Sequence, residues 1–467
     1  MTLRGARQAD FAYQAVYRYM INLINEVSTD TRVKLPSLRQ LSQRLKVSIS
    51  TIQYAYSLLE KEGRVYSVAK SGYYAWPLAG GPVTCPSGDL LERLYVASRR
   101  PGMTVLSGDE PALLASLDGA LLRLERELVR QYPGHLQPSQ PCGVWELRAA
   151  LAARYTSSPT RYWHADDVYI GADLRGVLDI LVEVLGLRGT TVVVESPCEW
   201  SILRLLQDAG VRILEVPWSD DGRLELGLLE DMLRNESVQL VLLSSSISLP
   251  SAFALQPQDR LEVAQLLDRY DCWLLENDTC GELGFKPASA ALRDLVNPER
   301  LVVFASFEKI LGPEAPFGYA LSRHLNAELQ RQFLLRSFRL SSIRQRAIAR
   351  LYHSGKIDQH LHHLRGLLRD QAGEMSELLR QHLGDQVTYR MPAGGATFWL
   401  GASRAVDMRK AFHYLLARQV VVAPGELFSL CGLHHQHLRL SNTFHGQPNL
   451  DVALALVGEA LREAQIS

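Results

Sequence analysis

The sequence lacks long apolar runs and regular cysteine patterns. No segment of the 467 residues approaches 18 consecutive apolar residues, and the N-terminal stretch MTLRGARQADFAYQ has no apolar signal-peptide core. The six cysteines are scattered without a CxxC pair, and no zinc-ligand spacing of histidines is present. These absences predict a cytoplasmic protein without a membrane span, a disulfide framework or a metal site. Hydrophobic residues make up 47% and charged residues 21%, which indicates a globular chain of two or three domains.

The sequence also lacks net charge, but this balance conceals an uneven distribution. Residues 1–80 contain 11 Lys and Arg against 5 Asp and Glu, whereas the remainder contains 39 against 45. A small basic head joined to a larger acidic body is typical of a nucleic-acid-binding module attached to another domain. Charge alone does not separate this interpretation from chance clustering.

The apolar spacing of the basic head predicts three helices and a hairpin. The first helix covers residues 11–27, the second begins at Ser37, and the third begins after Ser48 or Ser50 and ends at Gly63. Two strand-like runs, 65–68 and 73–76, follow with turn residues between them. This order predicts a winged helix-turn-helix whose last helix enters the major groove of DNA. The expected buried positions are Val16, Met20, Leu23, Ile24, Val27, Leu38, Leu41, Leu45, Ile52, Ala55, Leu58 and Leu59.

The stretch LPSLRQLSQRLKVSISTIQYAYSLLEKEG resembles the DNA-binding domain of the GntR family of bacterial regulators. The resemblance implies double-stranded DNA as a partner. Family members often carry Arg where this chain reads Ser48-Ile49-Ser50. Base readout is therefore expected to use hydroxyl and amide groups, or else sequence specificity is expected to be modest. The alternative is that these side chains are only solvated surface residues. The residues implied to face DNA are Arg39, Ser50, Thr51, Gln53 and Tyr54, with Lys61, Arg64 and Lys70 near phosphates.

The rest of the chain alternates helices with short apolar strands. The head is assigned to residues 1–77, a Pro/Gly-rich linker to 78–90, and an α/β domain to 91–467, with a small C-terminal domain from about 365. Near-continuous apolar strands separated by helices predict a mainly parallel sheet covered on both faces. Ligands of such sheets bind at the carboxyl ends of the strands. The predicted strands are 168–170, 191–195, 212–216, 240–243, 272–276 and 301–305, and predicted helices include 176–187 and 255–270.

Two of these strand ends carry residues suited to pyridoxal phosphate. One strand ends in Glu276-Asn277-Asp278, and about thirty residues later another ends in Ser306 with Lys309 three residues on. A lysine amine can condense with the aldehyde of this cofactor, while a carboxylate keeps its pyridine nitrogen protonated. The Ser306 hydroxyl is then placed for the phosphate. The alternative is a capped strand end with a solvated lysine.

Residues 90–467 resemble a fold-type I aminotransferase, with landmarks in VYIGADLRGVLDIL, VVVESPCEW, SFEK and HLRLSNTF. A GntR-type head on such a body is the architecture of the MocR subfamily of transcription factors. The resemblance implies a homodimer that binds pyridoxal phosphate through a Schiff base on Lys309, preceded by Ser306. It also implies that Arg439 grips a substrate or effector carboxylate, with a structural salt bridge as the alternative. It further implies that Asp278, next to Asn277, is the partner of the pyridine nitrogen. Gly171, Ala172 and Asp173 match the phosphate-binding loop, which leads into the phosphate helix.

The sequence departs from the aminotransferase pattern at four places. Thr279-Cys280 replaces a tyrosine, Pro316 replaces a phosphate-binding arginine, and the run beginning at Leu249 replaces an NPTG motif. In the fourth, the stacking aromatic has become Cys198-Glu199-Trp200, which leaves Trp200 one place along as the stacking candidate. Each lost phosphate contact costs about 1.5–3 kcal/mol, so the cofactor is expected to bind weakly. Arg175, one helical turn into the phosphate helix, is a candidate replacement for the missing arginine.

Three functions remain open from the sequence. The first is a DNA-binding regulator whose body senses pyridoxal phosphate or an amino-acid-like effector. The second is an active aminotransferase with a vestigial head, and the third is a degenerate sensor that no longer binds the cofactor. The lost residues argue against efficient turnover and leave the first and third as the stronger hypotheses.

Overall fold

The protein is described here from a computed structural model. It divides into two compact units, residues 1–89 (the head) and 90–467 (the body). The described residues are 16, 19, 20, 23, 33–61, 65–68, 72–75, 89–131, 140–219, 221–286, 291–336, 338–443 and 450–466. The predicted positions Ile24, Val27, Gly63, Arg64, Lys70 and most of the linker lie outside them, as do the side chains of Leu58 and Lys61.

The head is a winged helix-turn-helix, as predicted. The helices of its continuously described part are α1 (Leu38–Leu45) and α2 (Ile49–Lys61), and the three antiparallel strands there are β1 (Val33–Lys34), β2 (Val65–Val68) and β3 (Gly72–Ala75) in the order β1-β3-β2. Most of the predicted first helix, 11–27, lies outside the described residues. Ser37 caps α1 in a reciprocal arrangement with Gln40. Its core consists of Val16, Met20, Leu35, Leu41, Ile52, Ala55, Tyr56, Leu59 and Val65.

Two features of the head core were not predicted. The short strand β1 pairs with β3 and makes the hairpin a three-stranded sheet. Tyr56 is buried, donates a hydrogen bond to the Pro36 carbonyl oxygen (2.5 Å), and stacks on Tyr73 with ring centroids 4.2 Å apart. These contacts attach α2 both to the start of α1 and to the wing.

The body is built on a seven-stranded sheet in which all six predicted strands are found. They are β5 (Val168–Gly171), β6 (Thr191–Ser196), β7 (Arg212–Pro217), β8 (Val238–Ser244), β9 (Trp273–Asn277) and β10 (Leu301–Ser306). The seventh strand, β11 (Gly318–Leu321), lies between β5 and β10 and is antiparallel to both. The sheet order is β5-β11-β10-β9-β8-β6-β7, so the predicted mainly parallel sheet is confirmed.

Helices cover both faces of this sheet because alternate strand residues are buried on opposite sides. In β10, Val303 belongs to one apolar core, whereas Val302 and Phe304 belong to the other. The helices of the body are α3 (Leu90–Ala97), α4 (Asp118–Gln131), α5 (Trp145–Tyr155), α6 (Leu174–Val184), α7 (Trp200–Asp208), α8 (Leu226–Asn235), α9 (Pro257–Arg269), α10 (Glu308–Leu311), α11 (Asn326–Arg336), α12 (Ser342–His353), α13 (Lys356–His382), α14 (Met408–Leu416) and α15 (Leu450–Glu463).

A third core of the body surrounds a small antiparallel sheet. Its strands, in the order β12-β13-β16-β15, are β12 (Val387–Tyr389), β13 (Thr397–Ala402), β16 (His437–Ser441) and β15 (Ala423–Pro424), while β4 (Thr104–Val105) pairs separately with β14 (Val420–Val421). The helix α13 connects the cores, since Leu368 packs in the large domain and Ala372 in the small one. Within the described ranges, no helix combines the length and apolar character needed to cross a membrane.

Candidate functional site

The head presents one polar face of α2 to solvent. Ile52, Ala55 and Leu59 are buried, whereas Ser50, Gln53 and Tyr54 are exposed and Thr51 is half-buried, because a helix turns about 100° per residue. The helix begins with a cluster of hydroxyl groups in which Ser48 Oγ accepts a hydrogen bond from the Thr51 N–H (3.2 Å). Arg39, on α1, is also exposed.

The body brings its predicted residues together at one edge of the large sheet. The strands β5, β9 and β10 point the same way and end at Gly171, Asn277 and Ser306, and α10 follows β10 directly with Lys309. Ser306 is buried at the strand end. The parallel strand directions therefore place Lys309 where ligands of such sheets bind.

Lys309 forms an ion pair with Asp109, a residue that the sequence patterns did not single out. The ammonium group contacts the Asp109 carboxylate and lies 3.4 Å from its backbone carbonyl oxygen, and each side chain is 18% exposed. Burial alone would lower the pKa of Lys309, but Asp109 outweighs it and raises this pKa above the usual lysine range. Burial would likewise raise the pKa of Asp109, whereas Lys309 and Arg439 lower it. The pair is therefore charged.

Arg439 lies in the same site, in strand β16, with its guanidinium almost fully buried. It donates to Glu199 Oε2 (3.0 Å) and to the Ser107 carbonyl oxygen, and its Nη1 is 3.9 Å from the Asp109 carboxylate. The predicted stacking residue Trp200 lies against this group, with 4.5 Å between the guanidinium carbon and the ring centroid. The structural salt bridge that the sequence left open as an alternative thus has a specific partner in Glu199.

Asp278, the predicted pyridine-nitrogen partner, belongs to a buried polar cluster. Tyr155 donates to its Oδ2 (2.6 Å), and Arg293 Nη1 lies 3.2 Å from its Oδ1 and 3.3 Å from Glu276 Oε1. The guanidinium also stacks over the Tyr155 ring at 4.7 Å. One cation therefore serves two carboxylates. Tyr155 donates to Oδ2 of Asp278, whereas its buried Oδ1 has no hydrogen-bond partner among the described residues.

The neighbouring residues of β9 are used within their own loop. The Asn277 amide oxygen accepts hydrogen bonds from the backbone N–H (3.1 Å) and the hydroxyl (2.7 Å) of Thr279. Cys280 is buried, and burial raises the pKa of its thiol to about 12, although Lys309 opposes this shift. The uncharged Cys280 thiol and the Asn277 amide, which is hydrogen-bonded within its own loop, thus occupy positions where the aminotransferase pattern has polar groups that contact the cofactor.

The predicted phosphate loop leads into the N-terminus of α6. Gly171 ends β5, Ala172 follows, and Asp173 caps the helix by accepting a hydrogen bond from the Gly176 N–H (2.6 Å). Arg175 is exposed on the first turn, and its guanidinium has no hydrogen bond or ion pair with the residues described. The helix terminus is a place where backbone N–H groups favour anions.

Gly318 allows the antiparallel strand to approach this helix terminus. A Cβ atom at this position would lie 2.6 Å from the Asp173 carbonyl oxygen and 2.7 Å from the Leu174 Cα atom. Any other residue would push β11 away from α6. The strand β11 is therefore packed directly against the predicted phosphate loop.

The fold combines a GntR-type winged helix-turn-helix with an aminotransferase-like α/β body. Residues 12–74 match the family of bacterial regulatory proteins, gntR family, and residues 133–456 match aminotransferase class I and II. The aminotransferase match covers more than half of the chain, so the chain belongs to the aminotransferase class I and II family. Together, the two domains make the combination found in the MocR subfamily.

The relatives point the same way. The chain is 25% identical over 449 residues to the uncharacterized HTH-type transcriptional regulator YjiR of Escherichia coli (strain K12), with 92% of this chain and 94% of the relative covered. It is 26% identical over 453 residues to YdcR, described in the same words, from the same organism, with the same coverage. These similarities extend through both domains.

Two solved aminotransferase structures are similar to about four-fifths of the chain. A multiple substrate aminotransferase from Thermococcus profundus has a TM-score of 0.71 at 20% identity and covers 81% of this chain and 96% of its own. The α-aminoadipate aminotransferase LysN from Thermus thermophilus, complexed with N-(5'-phosphopyridoxyl)-L-leucine, has the same TM-score at 22% identity, covering 81% and 95%. At such identities the likeness shows the fold, which is that of a pyridoxal-phosphate-binding family.

The residues present in this chain do not fit that cofactor in its usual form. A Schiff base requires an unprotonated lysine nitrogen, yet Lys309 is paired with Asp109. The exposed Pro316 supplies no cation for a phosphate. Asp278, in contrast, keeps a buried Oδ1 atom without a hydrogen-bond partner among the described residues, as a pyridine-nitrogen partner would. Two carboxylates, Asp109 and Glu199, neutralise the cations Lys309 and Arg439 of the site.

Proposed function

We propose that the protein regulates transcription by binding double-stranded DNA through its head, and that its body senses a small amino-acid-like effector. The observation that carries the DNA-binding half is the solvent-facing polar side of α2, formed by Ser50, Gln53 and Tyr54. The similarity to HTH-type transcriptional regulators over 92% of the chain supports it. Arg39 and Thr51 are proposed to contact bases or sugars beside them. Lys61, Arg64 and Lys70 are proposed to contact phosphates, which fix the register of the helix on the duplex.

Selection of binding sites from a random pool of DNA duplexes, followed by fluorescence anisotropy, tests this half. Gln53→Ala is expected to cost about 1–3 kcal/mol in binding to the selected sequence and to relax its specificity at one base pair. Lys286→Ala, which removes a charge from an exposed position of the body, is the matched control and should bind as the wild type does. Equal affinity of the wild type for selected and random DNA would contradict specific recognition.

The sensing half rests on the joint burial of Lys309 and Arg439 in one site at the sheet edge. An amino acid carries a carboxylate and an ammonium group, and this site holds cations and carboxylates side by side. Binding would change transcription if the effector has different affinities for two states of the protein. Isothermal titration with a panel of amino acids, in wild type and Arg439→Leu, tests the site. A ligand that binds both proteins equally would place the effector elsewhere.

Use of pyridoxal phosphate is tested separately by absorption spectroscopy. Because Lys309 is held by Asp109, the wild type is expected to give no stable Schiff-base band at equimolar cofactor. A band that disappears in Lys309→Ala would show instead that the cofactor is bound as the family resemblance implies. Arg175→Ala would then be compared, since Arg175 is the proposed replacement for the phosphate-binding arginine. An active aminotransferase would in addition interconvert amino and keto acids over many turnovers.

We further propose a cytoplasmic homodimer. A regulator must reach the chromosome, and two heads would read a repeated half-site. The body exposes large apolar side chains, among them Leu113 (65%), Val129 (55%) and Trp145 (59%), which a second copy could cover. Light scattering of the purified chain gives the mass, and a monomer at micromolar concentration would contradict this proposal.

A further inference from the structure

Asp109 is presented to Lys309 by a segment that is fixed at both ends. Its N-terminal part is β4, which pairs with β14, and the Leu106 N–H continues this pairing by donating to the Val421 carbonyl oxygen (2.8 Å). On the other side, the Ser441 N–H donates to the Leu106 carbonyl oxygen (2.7 Å). Beyond Asp109, the Leu117 N–H donates to the Leu311 carbonyl oxygen at the end of α10 (2.8 Å). The carboxylate is therefore positioned by backbone pairing to both domains of the body.

The Asp109 carboxylate stands between the two cations of the site. It contacts Lys309 directly and lies 3.9 Å from Arg439 Nη1, while Arg439 has its own carboxylate in Glu199 at 3.0 Å. The adjacent residue in the chain, Glu110, is exposed, and its carboxylate accepts the Asp109 N–H (2.9 Å). Each cation thus has one close carboxylate, and Asp109 is the one that meets the lysine.

We propose that Asp109 determines the specificity of the site: its carboxylate keeps Lys309 as an ammonium ion, so that the site accepts ligands held by charge and excludes aldehydes that condense with the lysine. Condensation joins the lysine nitrogen to the carbonyl carbon with loss of one water molecule, and it requires an unprotonated nitrogen. This proposal rests on the proposed function only in treating the site as the effector site of the body. It is independent of the DNA-binding assignments.

The test uses the full chain and pyridoxal phosphate as an aldehyde probe. Imines are trapped by cyanoborohydride, and the extent of labelling at Lys309 is measured by peptide mass spectrometry as a function of pH. In the wild type, Lys309 is expected to label more slowly than the exposed Lys286 at every pH below 10. This comparison within one protein requires no variant to fold.

Asp109→Asn removes the counterion but keeps the size of the side chain. It is expected to label Lys309 about tenfold faster or more at pH 7.5, since one unit of pKa is a factor of ten in the unprotonated fraction. Glu110→Gln is the matched control, with less than about a twofold change, and circular dichroism checks the fold of both variants. Labelling of wild-type Lys309 as fast as Lys286, or no acceleration in Asp109→Asn, would overturn the proposal. Loss of specific DNA binding would contradict the proposed function and leave this result unaffected.

Discussion

Replacing Glu276 by Gln is expected to stabilise the body most above neutral pH, with an effect that shrinks steadily as the pH falls toward 4.5. Glu276 is fully buried at the end of β9 and shares the single guanidinium of Arg293 with Asp278. Burial is the largest influence on its carboxyl group and, together with Asp278, raises its pKa to about 7, although Arg293 opposes the shift. Folding therefore favours the protonated form of Glu276 relative to the unfolded chain.

The sign and size of the effect follow from proton linkage. A group whose pKa rises from 4.5 to about 7 on folding binds more protons in the folded state than in the unfolded state between these pH values. The free energy of unfolding therefore falls as the pH rises through this window and levels off above about pH 7. The loss is on the order of 3 kcal/mol, because each unit of pKa corresponds to about 1.4 kcal/mol. Glutamine keeps an oxygen acceptor for Arg293 and has no proton that titrates in this pH range.

Urea unfolding at pH 5, 6, 7 and 8, followed by tryptophan fluorescence, measures this difference. Six of the seven tryptophans lie beyond residue 90, so the signal reports mainly on the body. The stability difference between Glu276→Gln and the wild type should grow from about 1 kcal/mol at pH 5 to its full value at pH 8. Other titrating groups cancel in the difference. A difference that is constant with pH would refute the assignment of this proton to Glu276.

Three further predictions concern the head and the loop before α6. Leu41→Ala should destabilise the head by about 2–5 kcal/mol through a cavity in its core, seen as an earlier calorimetric transition with the body transition unchanged. Asp173→Ala should cost about 1 kcal/mol of body stability in urea unfolding by leaving the Gly176 N–H without its cap; an unaltered midpoint would contradict that role. Lys61→Ala should weaken binding to all DNA sequences alike and reduce the salt dependence of log K by about 1 in anisotropy titrations, whereas an unchanged slope would remove Lys61 from the phosphate contacts.

The large sheet could be predicted because its strands carry the information locally. Five of the six predicted strands are runs of mainly apolar residues, and burial on both faces leaves no alternation in them. The sixth, 212–216, lies at the sheet edge, contains Arg212 and Glu215, and is partly exposed. The position of Lys309 followed from the same reasoning, since parallel strands end at one edge. The direction of β11 could not be obtained in this way, because its run Gly318–Leu321 is equally compatible with either orientation.

The contacts that distinguish this site are not encoded locally. Asp109 lies 200 residues from Lys309 in the sequence and follows a strand of only two residues, which no periodicity reveals. Glu199 was visible only as a departure from an aromatic position, and its partner Arg439 is 240 residues away. Long-range ion pairs depend on how the domains of the body pack, so only the fold as a whole shows them.

The charges of the site explain why the body is better suited to an amino-acid-like effector than to a phosphate-bearing cofactor. Lys309 and Arg439 are matched by Asp109 and Glu199, and leaving a buried cation without its partner costs about 3–5 kcal/mol. An anion that enters this site adds negative charge to a balanced set and must displace one of these carboxylates. A zwitterion adds no net charge. Its carboxylate can displace a protein carboxylate from a cation, and its ammonium group can then pair with that displaced protein carboxylate. Control of DNA binding by such an effector requires in addition that the effector has different affinities for two states of the protein.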